Sequence, residues 1–125
     1  LQPLSQTAML CLEHLSYHEY EGVALNLDER ERLIRDLGSK SMMILRNHGI
    51  LTVGRDVPET FTYLYFLMKA CEIQVKAQSC GPVYMPTQQA IDTTADQSGS
   101  LGKAAKLTWP ALLRLLDARS PGYNV

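Results

Sequence analysis

The short signatures that announce much of protein chemistry are missing from this 125-residue chain. It contains no Cys-x-x-Cys, no His-x-His and no Gly-x-Gly-x-x-Gly, so it encodes neither a compact zinc-thiolate site nor a phosphate-cradling loop. Cysteine occurs three times, at Cys11, Cys71 and Cys80. An odd, widely spaced set argues against a disulfide framework, and the thiols are expected to stay reduced, with Cys71 acting as a small hydrophobe among apolar neighbours. No run of eighteen apolar residues is present, nor a charged start followed by an apolar segment. The expectation is therefore a cytoplasmic protein with no membrane partner. Neither sign of charge dominates: 12 Lys and Arg stand against 13 Asp and Glu, for a net charge of −1. With no basic tract, nucleic acid and anionic surfaces are not expected partners. No internal repeat is found.

What is there reads as one alternating pattern in a 14.0 kDa chain. That size builds one modest core but falls short of the roughly 200 residues of many complete enzyme domains. Residues 5–14 place Ala8, Met9 and Leu12 at helical spacing, with Leu15 just beyond, and residues 16–25 shift to tyrosine-rich text that favours a strand. Asn26 or Asp28 can cap the next helix, Leu33, Ile34 and Leu37 form its inward stripe, and Gly38 ends it. The run ERERLIRD is a solvated face with charges alternating at helical spacing. Asp56 and Glu59 form a capping-box pattern that opens a helix reaching to about Ser79, with Pro58 tolerated in its first turn. Two apolar stripes run along it. One holds Phe61, Leu64, Tyr65, Met68 and Val75, the other Tyr63, Phe66, Leu67, Ala70 and Ile73. Only one can face a sheet, so the second needs cover from another subunit or another part of the protein. Residues 81–106 read as an irregular or weakly helical linker, and residues 107–125 as an amphipathic helix, opened by Trp109-Pro110, and tail.

The chemistry-bearing cluster is LRNHGILTVG, residues 45–54. Residues 42–45 form a buried strand, and residues 50–53 are its continuation or its hairpin partner, with Gly49 expected to let the backbone turn. A strand end is a normal position for a metal ligand or an acid–base group, and His48 stands there. The competing reading is a structural histidine whose ring nitrogens bond backbone groups. Asn47 reads as a turn residue tolerant of positive φ, and Arg46 as a solvent-facing strand residue or a contact for a substrate anion. The cluster SYHEYEG, residues 16–22, is the second candidate: phenol, imidazole and carboxylate together can move protons, and an exposed β-edge has the same composition.

These stretches, in this order, resemble the class II aldolase/adducin head family. LRNHGILTVG matches the family's Asn-His-Gly strand and the apolar strand after it. PLSQTAM, SYHEYEGVAL, the Leu27-Asp28-Glu29-Arg30 helix start and KACEIQVKA resemble its bacterial adducin-like branch. The resemblance covers residues 1–77, and WPALLRLLD matches loosely beyond.

The resemblance implies an α/β fold: the C-terminal part of an α/β/α sandwich with a mainly antiparallel central sheet, with residues 1–80 as the C-terminal half of the family domain. It also implies a divalent cation, usually zinc, held by three histidines, of which this chain carries only His48; the His-x-His pair and the acid–base glutamate belong to the absent half. Tyr17 is the nearest match to a tyrosine that reaches a neighbouring subunit's site and donates a proton, with Tyr20 as the alternative. The implied activity is aldol cleavage, epimerisation or related enediolate chemistry on a small sugar phosphate or keto acid, in a homotetramer, with this fragment inactive alone. The other implied function is a non-catalytic adducin-like association module.

Overall fold

The computed structural model describes residues 1–23, 25 and 27–123. Helix α1 (Gln6–Leu12) opens where Ser5, in extended backbone, accepts the amide hydrogen of Ala8 through its hydroxyl, satisfying a donor that the first turn leaves free. Strand β1 (Leu15–His18) follows, then helix α2 (Glu29–Leu37), strand β2 (Met42–Leu45) and strand β3 (Gly49–Thr52). The sheet order is β1-β2-β3. Among the described residues the sheet is mixed, with one pair of each kind. β2 and β3 pair antiparallel, but β1 and β2 pair parallel, Leu15 beside Met42 and His18 beside Leu45. The physical reason is α2, which carries the chain back across the sheet so that β2 restarts in the direction of β1.

Residues 50–53 prove to be the hairpin partner of β2, not its continuation. The turn spans residues 46–48, and its left-handed position is Asn47, φ 55°. Gly49 has an ordinary φ, and a side chain there would meet nothing within 4 Å. The freedom assigned to Gly49 is thus used at Asn47, whose short polar side chain tolerates that conformation. Asp28 holds the N-cap position of α2, but with helical backbone angles (φ −66°) instead of the extended ones of a capping residue. Asn26 lies outside the described residues.

Helix α3 (Val57–Ser79) starts as expected: Asp56 accepts from the amide of Glu59, and Pro58 sits in the first turn. Tyr63, Leu67 and Ala70 turn inward and are buried with Ala8, Cys11, Leu15 and Met42 in the core. Phe61, Tyr65, Met68 and Val75 face outward, 41–68% exposed. The stripe carrying smaller and shorter side chains at its centre, Leu67 and Ala70, is the one that lets α1 and the sheet approach.

The last third is more helical than its composition implied. Helix α4 (Gln88–Gln97) is capped by Thr87, which accepts from the amide of Ala90, and a 3₁₀ turn (Ser98–Ser100) leads into helix α5 (Leu101–Arg119). The expected start at Trp109-Pro110 is corrected: α5 begins eight residues earlier and runs through Pro110. Leu101 and Ala105, 2% and 1% exposed, bury against the rest of the molecule. That packing outweighs the amide hydrogen bond lost at proline. No helix among the described residues is long and apolar enough to cross a membrane.

Candidate functional site

His48 is exposed on the β2–β3 turn, at the end of the sheet where β1 and β2 finish. Its amide donates to the Leu45 carbonyl at 3.0 Å, so the turn fixes the backbone while the imidazole remains accessible. His48 lines a small cavity of about 50 Å³ together with His18, Tyr20, Glu29 and Arg46. The walls of this cavity also include Leu33 and Leu45. Among the described residues no group of three or more His, Cys, Asp or Glu side chains could hold a metal ion. His48 thus belongs to no such group among the described residues.

Of the two tyrosines singled out by sequence, the structure brings Tyr20 to the His48 cavity and keeps Tyr17 away from its walls. Alternation along β1 places His18 on one face of the sheet and Tyr17 on the other. Tyr17 is 36% exposed, with the Arg46 guanidinium 4.9 Å from its ring centroid. Partial burial pushes its phenol above the ordinary value, and Arg46 opposes that shift. Arg46 also pairs with Glu19 at 2.7 Å, so its charge is shared between a carboxylate and an aromatic face.

His18, the imidazole of the SYHEYEG cluster, is the most constrained polar group at this end. It is 4% exposed, and its Nδ1 lies 2.7 Å from Asp36 Oδ2 on α2. Nε2 stands 3.5 Å from Glu29 and 3.9 Å from Glu21, and forms no hydrogen bond among the described residues. Glu21 is engaged by Arg32, which holds its carboxyl below the ordinary range. The hydrogen bond from His18, then that from Arg35, does the same for Asp36. The sequence signal was a histidine in a strand with acidic residues on the next helix, and only the fold brings them together.

At the opposite end of β2 and β3 lies a second polar cluster, read from sequence only as a helix cap. Glu59, 5% exposed, accepts from the Arg55 backbone amide at 2.7 Å, from the Arg55 guanidinium at 2.9 and 3.1 Å, and from the Tyr63 hydroxyl at 3.2 Å. Arg55 holds the Glu59 carboxyl down at about 2.

A small mixed sheet flanked by helices, with an Asn-His-Gly turn at its end, defines an α/β domain of the class II aldolase kind. Residues 1–75 match the family model described as "Class II Aldolase and Adducin N-terminal domain", and the chain belongs to that family. It is 46% identical over 126 residues to a protein of Caulobacter vibrioides provisionally named aldolase class 2 protein, covering 98% of this chain and 49% of that one. It is 37% identical over 132 residues to alpha-adducin of Rattus norvegicus, covering 94% of this chain and 18% of the adducin. An aldolase II superfamily protein from Pseudomonas syringae superimposes with a TM-score of 0.91 at 42% identity, over 98% of this chain and 51% of that structure. An L-fuculose 1-phosphate aldolase from Glaciozyma antarctica shares the fold, with a TM-score of 0.61 at 20% identity over 88% of this chain and 46% of its own. The chain thus spans about half the length of the bacterial relatives it matches.

Proposed function

We propose that this chain is the C-terminal half of a metal-dependent class II aldolase-like enzyme, acting by aldol cleavage, epimerisation or related enediolate chemistry on a small sugar phosphate or keto acid. The observation that carries the reading is the placement of His48: an accessible imidazole on a rigid hairpin turn, lining a cavity, in a chain belonging to a family that contains aldolases. In the complete domain, an α/β/α sandwich with a mainly antiparallel sheet, residues 1–80 form the half that contributes His48 as one ligand to zinc or another divalent cation. The remaining donors and the acid–base carboxylate come from outside these residues. A bound divalent cation would supply Lewis-acid polarisation of the substrate carbonyl. His48 must be neutral to serve as a donor, so metal affinity falls as imidazole protonates.

Tyr17, exposed on the face of β1 away from the cavity, is the proton donor to a neighbouring subunit's site in a cytoplasmic homotetramer. The outward stripe of α3, Phe61 to Val75, supports that assembly because so long an apolar strip needs cover. The isolated 125-residue chain, with one metal ligand, has no aldol activity.

The 37% identity to alpha-adducin favours a second reading, a non-catalytic association module that keeps the fold. Metal analysis of the full-length protein separates the two. Stoichiometric zinc that is lost in His48→Ala supports the enzyme; absence of metal from both proteins supports the association module.

A further inference from the structure

We propose that the cleft between the β3–α3 loop and α5 binds a small phosphate-bearing anion at a site separate from His48. The cleft consists of two cavities, about 520 and 220 Å³, whose walls share Arg55, Glu59 and Gly102. It opens at the end of the sheet opposite the histidine turn, about 13 Å away for strands of four residues. It is therefore no part of the site proposed above.

Three cations line it. Arg55 is 78% exposed, yet Glu59 holds it through its Nε and Nη2 groups and through its own backbone amide. A guanidinium carries five N–H donors, and Glu59 uses two. Three donors are left over on a side chain that lines both cavities and is already tethered by Glu59, so less rotamer entropy is lost when a ligand binds. Lys103 and Lys106, three positions apart and hence on one face of α5, border the two cavities. Both are exposed, and neither makes an ion pair or side-chain hydrogen bond among the described residues.

The carboxylates in the cleft are committed elsewhere. Glu59 is occupied by Arg55 and Tyr63, and Asp56 caps α3. Three positive groups against two engaged negative ones leave a net positive cleft. Gly102 keeps α5 close to this group, since a Cβ there would fall 2.6 Å from Glu59 Oε1 and 3.2 Å from the Tyr63 hydroxyl. A tethered guanidinium lining the same cleft as two ammonium groups that have no partner among the described residues suits a tetrahedral oxyanion with several acceptor oxygens, whether free phosphate or the phosphate group of an ester.

The test is an amide-resolved NMR titration of the 125-residue chain with inorganic phosphate at constant ionic strength, repeated with glycerol 3-phosphate and with chloride. Saturable shifts at Gly54, Arg55, Gly102 and Lys103 with phosphate but not with chloride are expected. The double variant Lys103→Gln/Lys106→Gln, which alters only exposed side chains, should bind at least tenfold more weakly, while Lys69→Gln on α3 should not change affinity. Tighter binding of the ester than of the free ion assigns the site to a phosphate ester; equal binding assigns it to the free anion. Shifts that follow ionic strength alone, or unchanged affinity in the double variant, overturn the proposal.

Discussion

Asp36 on α2 and His18 on β1 meet at 2.7 Å through Oδ2 and Nδ1, one buried imidazole joining a helix to the edge of the sheet. Helix α2 contributes no buried residue of its own, so this contact and the neighbouring carboxylate of Glu29 anchor it in place of a hydrophobic seam. The Asp36 carboxyl is held below its ordinary 3.8 because its charged form accepts from His18 and Arg35. A depressed carboxylate stabilises the fold above its unfolded value and loses that contribution as pH falls through the folded one. Carbon-detected titration of Asp36 should give a midpoint below 3.8 that rises in His18→Asn. An unmoved midpoint would show that the contact does not persist in solution.

Glu59 makes the same argument at the other end of the sheet with a larger shift. Its carboxyl is held at about 2, against an ordinary 4.5, first by the Arg55 side chain and then by the Arg55 amide. Its stabilising effect is complete above about pH 4.5 and disappears as pH falls towards about 2. Glu59→Gln should lower stability at pH 7 by about 2 kcal/mol, the scale of a hydrogen bond to a charged group. Urea unfolding followed by circular dichroism should also show that the variant loses the acid limb of the stability curve. Parallel wild-type and variant curves between pH 2 and 5 would contradict the assignment.

The β2–β3 turn depends on a left-handed residue, Asn47 at φ 55°. Asn47→Gly should be tolerated, because glycine enters that region without penalty. Asn47→Val should cost about 1–2 kcal/mol, because a branched Cβ meets the following carbonyl. Thermal denaturation of the pair checks this, and a valine variant as stable as the glycine variant would refute it.

Thiol reactivity should rank by burial. Cys80 is exposed, Cys71 half-buried with a raised pKa, and Cys11 fully buried with its thiol pushed up to about 12. The thiolate is the reacting form, so iodoacetamide at pH 8 should label Cys80 first and Cys11 only on unfolding. Mass spectrometry of timed samples reads the order directly.

Several local features follow from short-range rules, and sequence states them. Ser5 and Asp56 cap their helices because a side-chain oxygen meets a free amide two or three residues on, a contact set by sequence distance alone. The helix ends at Gly38 and near Ser79 are legible for the same reason. The family too is carried by residues in linear order, with LRNHGILTVG and SYHEYEG at their head.

The remainder depends on which segments touch. Parallel pairing of β1 with β2 is set by the crossover of α2, not by the composition of either strand. The α5 start lies at Leu101 and not at Trp109-Pro110 because burial of Leu101 and Ala105 outweighs local proline chemistry. Tertiary packing alone turned Tyr63, Leu67 and Ala70 inward in preference to the equally apolar opposite stripe. It also joined His18 to Asp36 across eighteen positions, and put Tyr20 rather than Tyr17 beside His48. Local rules act over three or four residues; burial and charge pairing act between residues that only the folded chain makes neighbours.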